Sequence, residues 1–135
     1  LFALLVLSSC LHNVDWTLIA KGNLHGAGAE GIEEQNLIIT NQEAWDNLMN
    51  QMDSVNNESG SFTETNIDFS KYRIIAIFDK VNGQKIDLKI REQSEHLSVS
   101  ISHIPAGDET APIIQPYYIV KIPVGNLPIV FESEK

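Results

Sequence analysis

The sequence of 135 residues is poor in cysteine, in basic residues and in long apolar runs. Its one cysteine, Cys10, excludes an intramolecular disulfide framework. Nine basic residues against eighteen acidic ones give a net charge of −9. This balance argues against nucleic acid as a partner, because phosphate binding depends on Lys and Arg. The longest apolar run, Leu1–Leu7, is too short for a membrane-spanning helix, which needs about 20 residues.

Cys10 closes that apolar run in the order Leu7-Ser8-Ser9-Cys10. This order resembles the lipobox of a bacterial lipoprotein signal, in which the chain is cut before the cysteine and the cysteine is acylated. The alternative is a buried free thiol that packs as a small hydrophobe, but an apolar region followed by small residues favours the signal. We therefore expect 1–9 to be a signal-peptide remnant, 10–14 a lipidated tether and 15–135 a single domain. The mature protein would be anchored in the cell envelope, facing the periplasm or the exterior.

Hydrophobic periodicity predicts an α+β domain. We expect a mainly antiparallel sheet, sandwich-like or an open barrel, of six to seven strands with one covering helix. The apolar run in 73–78 indicates a central strand covered on both faces. The polar stretch 54–66 and the stretch 104–114, which contains two prolines and a glycine, indicate loops. The other strands are predicted at 15–21, 32–40, 84–91, 97–103, 117–123 and 127–131.

The covering helix is predicted after Thr40. Thr40 and Glu43 fit a capping box, with Thr40 as the N-cap. An apolar stripe follows at spacings of three and four residues, and the helix should end near Asp53. The stripe consists of Trp45, Leu48, Met49 and Met52.

Two turns are predicted between the strands that follow. Asn82-Gly83 is the strongest short hairpin signal in the chain and predicts a type I′ turn. A second turn, centred on Gln93-Ser94, would leave an apolar partner opposite each inward residue of 84–91. It predicts the pairs Ile90–Leu97, Leu88–Val99 and Ile86–Ile101.

The sequence offers little catalytic or cofactor chemistry. Gly26–Gly31 matches GxGxxG, but a strand pattern rather than a helix follows, which favours a glycine-rich turn over a dinucleotide site. No two histidines have the spacing of a metal site, and His96 and His103 should lie on opposite faces of one strand. No serine stands in a GxSxG elbow. We therefore predict no enzyme, no cofactor and no metal.

The order of these landmarks resembles the C-terminal domain of the PrcB family, accessory subunits associated with a surface protease complex. The resemblance covers most of 16–131. It implies assembly or stabilisation of a protease partner rather than catalysis. One departure is that 79–84 stands where the family often carries a Thr-Gly-Gly-Tyr-like turn; if that turn contacts the protease, a different partner is expected here. The matching segments are Gly28–Gly31, Thr40–Trp45, Ile67–Ser70, Ile104–Gly107 and Gln115–Pro123.

We expect a non-catalytic, lipid-anchored envelope protein that binds or stabilises another protein, with a protease or its precursor as the first candidate. Loops on a rigid sheet commonly carry binding, and Tyr117 shares a mixed face with Ile119 and Lys121. The alternative is a small-molecule or glycan binding module that uses Trp16 and Tyr117. The residues predicted to contact a protein partner are His25, Lys80, Asn82, Gly83, Pro105 and Tyr117.

The lipid anchor is tested by replacing the cysteine. Cys10→Ala removes the thiol that would be acylated, so we expect metabolic labelling with a fatty acid to be lost while the parent chain is labelled. Equal labelling of the two chains would remove the anchor hypothesis.

Overall fold

The computed structural model describes residues 12–105 and 113–133. Cys10 lies outside the described residues, so the acylation hypothesis stays a prediction. Residues 12–13, predicted as part of a tether, form a short strand instead. The elements are β1 (His12–Asn13), β2 (Thr17–Leu24), β3 (Gln35–Ile39), α1 (Gln42–Met52), a 3₁₀ turn (Ser59–Ser61), β4 (Tyr72–Phe78), β5 (Lys85–Glu92), β6 (Leu97–Ile104), β7 (Gln115–Pro123) and β8 (Ile129–Ser133).

The strands form two four-stranded sheets. The inner sheet has the order β2-β7-β4-β3 and the outer sheet the order β1-β5-β6-β8. All pairs are antiparallel except β6 with β8, which run parallel. The predicted α+β class, a sandwich-like and mainly antiparallel arrangement with a helix, is confirmed. β8 departs from the antiparallel pattern, because the connection after β7 returns the chain to the starting end of β6.

The inner sheet is the middle of three layers. One of its faces packs against α1, through Ile74 and Ile119 on the sheet and Trp45 on the helix. The other face packs against the outer sheet, through Ile75 and Val120. The apolar run of β4 therefore has covered side chains at both parities, as predicted for a central strand. Each fully buried Ile or Val of this kind contributes about 1.5–3 kcal/mol.

The helix has the predicted apolar stripe but a different N-cap. Trp45, Leu48 and Met52 are buried, and the helix ends at Asp53 as expected. Asn41, not Thr40, is the N-cap: its side-chain oxygen accepts the N–H of Ala44 at 2.8 Å. The predicted capping box is therefore wrong by one residue. Threonine and asparagine are both good N-cap residues, so the sequence pattern alone did not determine which of the two adjacent residues would cap the helix.

The Asn82-Gly83 turn does not close a hairpin, because β4 and β5 belong to different sheets. Asn82 has φ of 66°, but Gly83 is not among the residues with positive φ, so a type I′ turn is absent. The second turn is centred on Ser94-Glu95, one residue later than predicted: Gln93 N–H bonds to the His96 carbonyl at 2.8 Å. This shifts the β5–β6 register by two residues, so that Ile90 lies opposite Val99. A shift of two residues preserves the inward face of both strands.

The cap assignment predicts different effects for two adjacent substitutions. Asn41→Ala removes a capping acceptor and should lower the free energy of unfolding by about 1 kcal/mol. Thr40→Ala changes an exposed residue and should stay within about 0.5 kcal/mol of the parent chain. Urea unfolding followed by circular dichroism measures both. A larger loss for Thr40→Ala would restore the capping box predicted from the sequence.

Candidate functional site

The two ends of the sandwich differ in character. At one end, here called the loop end, β2, β4 and β6 finish and β3, β5 and β7 begin. At the opposite end, the base, β1 pairs with the end of β5 and the first residues of β2 pair with the end of β7. The loop end carries all three segments in which the sequence placed partner-binding residues. They are the glycine turn 25–31, the segment 79–84, and Pro105 with the residues before β7.

The glycine turn is a tight, ordered structure that leads to a strand rather than a helix. Ala29 N–H bonds to the Gly26 carbonyl at 2.9 Å and Gly31 N–H to the Gly28 carbonyl at 3.0 Å. Glu30 is only 4% exposed, and its carboxylate accepts the Gly26 N–H at 2.9 Å. The prediction of a glycine-rich turn is confirmed, and β3 is the next regular element. His25, just before the turn, is exposed.

Asp79 organises the segment 79–84. Its side chain is 6% exposed, and its two oxygens accept the N–H groups of Lys80 and Gln84, each at 2.8 Å. These bonds satisfy a carboxylate that would otherwise be costly to bury. Lys80 and Asn82 point to solvent, and Gly83 is half-buried. Asp79 thus orders the main chain that presents the exposed side chains.

Gln115, the first residue of β7, ties the neighbouring segments together. It is 1% exposed, and its Nε2 donates to the carbonyl of Ile32 at 2.7 Å and of Asp79 at 3.0 Å. The main chain adds a bond from Asn82 N–H to the Ile114 carbonyl at 2.6 Å. The segments before β3, after β4 and before β7 are therefore joined in one hydrogen-bonded arrangement. Such a network holds only one relative placement of these segments.

His103 lies beside this arrangement. Its Nε2 is 3.4 Å from a carboxylate oxygen of Asp79, and the ring is 31% exposed. Both residues line a cavity of about 440 Å³ that also includes Glu34. Asp79 already accepts two main-chain N–H groups, so its carboxylate has a structural task here. Throughout 12–105 and 113–133, no group of three or more His, Cys, Asp or Glu side chains is placed to hold a metal ion.

The expectation that Tyr117 lies on an exposed face is wrong, although the residue is among those that line the cavity between β2 and β5. The residue is 3% exposed, its ring packs against Phe62 and Phe78, and its hydroxyl donates to Glu58 at 2.7 Å. Burial, together with that hydrogen bond, raises the pKa of Tyr117 above its ordinary value. The prediction failed because β7 is covered on both faces, including the face that carries Lys121.

The same covering explains Lys121 and Trp16. Lys121 is half-buried, pairs with Glu64 at 2.8 Å and lies 4.2 Å from the centre of the Tyr72 ring. Trp16 packs edge-on against Tyr118, with ring centres 6.3 Å apart. Trp16 and Tyr117 are therefore both packed against core residues and do not form an open aromatic cleft.

Asp79 and Gln115 were not singled out from the sequence. For Asp79 a signal existed, because an aspartate just before an Asn-Gly pair commonly bonds to the main chain of the turn. For Gln115 none existed, since a polar residue before Pro116 gives no sign that it will be buried. The exposed residues His25, Lys80, Asn82 and Pro105 do lie at the loop end. Their role in binding a partner stays a prediction.

Comparisons with known proteins give no relative for this arrangement. No family model, no curated protein and no solved structure matches the chain. In the described part of the chain, no helix is both long and apolar enough to cross a membrane. Function is therefore inferred from the geometry of the loop end.

Gly83 provides a test of the loop-end geometry. A Cβ at this position would overlap the Asp79 carboxylate and lie 2.8 Å from the Lys80 carbonyl oxygen. Gly83→Ala should therefore lower the free energy of unfolding by about 1–3 kcal/mol. The control is Gly125→Ala, whose Cβ would approach only Arg73, at 3.7 Å, and should change stability by less than about 0.5 kcal/mol. Equal effects in urea unfolding would contradict the close packing around Asp79.

Proposed function

We propose that this chain is a non-catalytic, lipid-anchored envelope protein that binds a partner protein through the loop end. The observation that carries the proposal is the placement of the loop segments at the end of the sandwich opposite the N-terminal strand. This arrangement separates the point of attachment from the surface offered to a partner. Loops positioned by a rigid sheet commonly carry binding.

The distances fit an anchored protein. β1 pairs with the base end of β5, where Asn13 lies opposite Arg91. Cys10 precedes Asn13 by three positions, so an acylated Cys10 would lie within about 11 Å of Asn13. β2 then runs for eight residues away from the base, which corresponds to roughly 25 Å. An anchor at Cys10 would therefore hold the base near the membrane and the loop end away from it.

The chemistry of the loop end suits a protein surface better than a reaction. Its buried carboxylates, Glu30 and Asp79, accept main-chain N–H groups and order the turns. The predicted contact residues that reach solvent include a cation, an amide, an imidazole and a proline, which offer hydrogen bonds and contact area. These residues are Lys80, Asn82, His25 and Pro105.

The resemblance to the PrcB family makes an exported protease, or its precursor, the first candidate for the partner. The segment 79–84 replaces the turn typical of that family, and here it is ordered by Asp79 and joined to β7. A change of partner within the family would therefore be expected to involve this segment. The alternative site built on Trp16 and Tyr117 receives no support, because both rings pack against core residues.

Site-specific photocrosslinking in the envelope of the source organism tests the proposal. A photoreactive amino acid replaces Asn82, at the loop end, or Asn126, an exposed residue at the base. We expect one exported protein to be captured at Asn82 and not at Asn126. The abundance of that captured protein should fall when the gene that encodes the present chain is deleted. Mass spectrometry identifies the captured protein. No capture at Asn82, or the same capture at both positions, would overturn the proposal.

A further inference from the structure

A groove opens between the two sheets at the loop end. It has a volume of about 520 Å³. One wall is the edge strand β2 and the other is the first part of β5. Apolar residues from the ends of β5, β6 and β7 form its floor and rim. These are Ile86, Ile104, Pro105, Ile114 and Pro116.

The groove follows a side of the sandwich where two sheet edges are open. β2 is the outermost strand of the inner sheet. Among residues 12–105 and 113–133, the outer side of β5 is covered only at Arg91 and Glu92, by β1, and at Ile90, by a bond from the Val14 N–H. Near the base, the chain crosses from one edge to the other between β1 and β2. The open part of both edges is therefore toward the loop end.

The main chain of β2 faces outward along this groove. The carbonyl of Pro116, opposite Asn23, bonds to Asp79 on the other side of β7. Since main-chain groups alternate in direction along a strand, Asn23 and Lys21 direct their N–H and C=O groups away from β7. Nearer the base, Thr63 bonds to the outward carbonyl of Ile19 at 2.9 Å. Among the described residues, no main-chain partner occupies the corresponding positions at Lys21 and Asn23.

The charge of the groove is opposite to that of the protein. Lys21 and Lys85 line it, and no carboxylate is among its described lining residues, although the whole chain has a net charge of −9. Neither lysine forms an ion pair within the described part of the chain. The Lys21 ammonium lies 5.7 Å from the centre of the Tyr118 ring. Burial, with a further contribution from the nearby Asp87 carboxylate, raises the pKa of the Tyr118 hydroxyl. Asp87 does not line the groove.

We infer that this groove binds an extended, acidic segment of the partner protein, which pairs with the free edge of β2. Main-chain bonds to an exposed edge give affinity, and side-chain pockets give specificity, in this mode of recognition. Lys21 and Lys85 would pair with carboxylates of the segment, and the apolar floor would receive its alternate side chains. The inference rests on the proposed function, because it specifies how the partner is held.

Protection of the β2 edge against pairing with another chain does not by itself explain the residues that line the groove. A lysine and a β-bulge commonly keep an edge strand from pairing with another chain, and β2 has both, with its bulge between Leu18 and Ala20. Such protection requires neither a second lysine on the facing strand nor an exposed apolar rim. Lys85 and Ile104, which is 43% exposed, supply both features.

The probe is a fluorescein-labelled peptide of sequence Val-Glu-Val-Asp-Val-Glu-Val with blocked ends, titrated with the full chain in detergent micelles and followed by fluorescence anisotropy. Two altered peptides are controls: one carries Lys at the acidic positions, and one is N-methylated at alternate amides so that it cannot pair as a strand. We expect saturable binding of the acidic peptide only. Equal binding of the lysine peptide or of the methylated peptide would overturn the inference.

Variants then locate the binding. Lys21→Glu and, separately, Lys85→Glu should each weaken binding at least about fivefold, because an attraction becomes a repulsion. Lys89→Glu is the matched control, since it makes the same change of charge on an exposed residue of β5 outside the groove; it should alter binding by less than about twofold. Circular dichroism checks that each variant is folded. Equal losses for all three would indicate a general charge effect and overturn the inference, as would a free dicarboxylate that displaces the peptide completely.

The outcome is distinguishable from failure of the proposed function. Capture of a partner at Asn82 without peptide binding would reject the groove and leave the loop-end interface standing. Absence of both would reject the two proposals together.

Discussion

The two-sided burial of β7 is the constraint on which the rest of the structure depends. This strand pairs with β2 on one side and β4 on the other, so its main chain is bonded along both edges. Its side chains enter the helix-side core through Ile119 and the inter-sheet core through Val120. A strand bonded at both edges and covered on both faces has no freedom to slide, because a one-residue slip would exchange the two cores. The neighbouring elements are positioned relative to it.

This constraint extends to the loop end through Gln115. The amide donates to two carbonyl groups that belong to different connections, and it does so from the first residue of the most constrained strand. Removing such a side chain from a buried position would leave carbonyl groups without partners, which costs more than the bond itself contributes. The loop end is thus built on the core, although its exposed residues are loop residues.

The sequence predicted elements better than it predicted their partners. The apolar stripe of Trp45, Leu48 and Met52 predicted the helix. The continuous apolar sequence of β4 predicted a central strand. Both predictions were correct because both signals are local in sequence. The hairpin predicted at Asn82-Gly83 is wrong, since a turn motif bends the chain but does not determine which sheet the next strand joins. Tyr117 was expected to be exposed because Lys121 lies on the same face of the strand. That expectation failed because a lysine can remain half-buried, with its stem packed and its ammonium paired. The β5–β6 register was wrong by two residues, which is an error that alternation alone cannot detect.

The antiparallel pairing of β2 with β7 also has a mechanical consequence. The registered pairs from Thr17–Lys121 to Leu24–Gln115 lie along the strand axis. A force on the chain just before Thr17 can act along that axis, outward from the base and away from the loop end. It then loads these main-chain bonds together in shear rather than one after another. A load on the chain just before Thr17 would therefore be resisted by the whole length of the β2–β7 pairing.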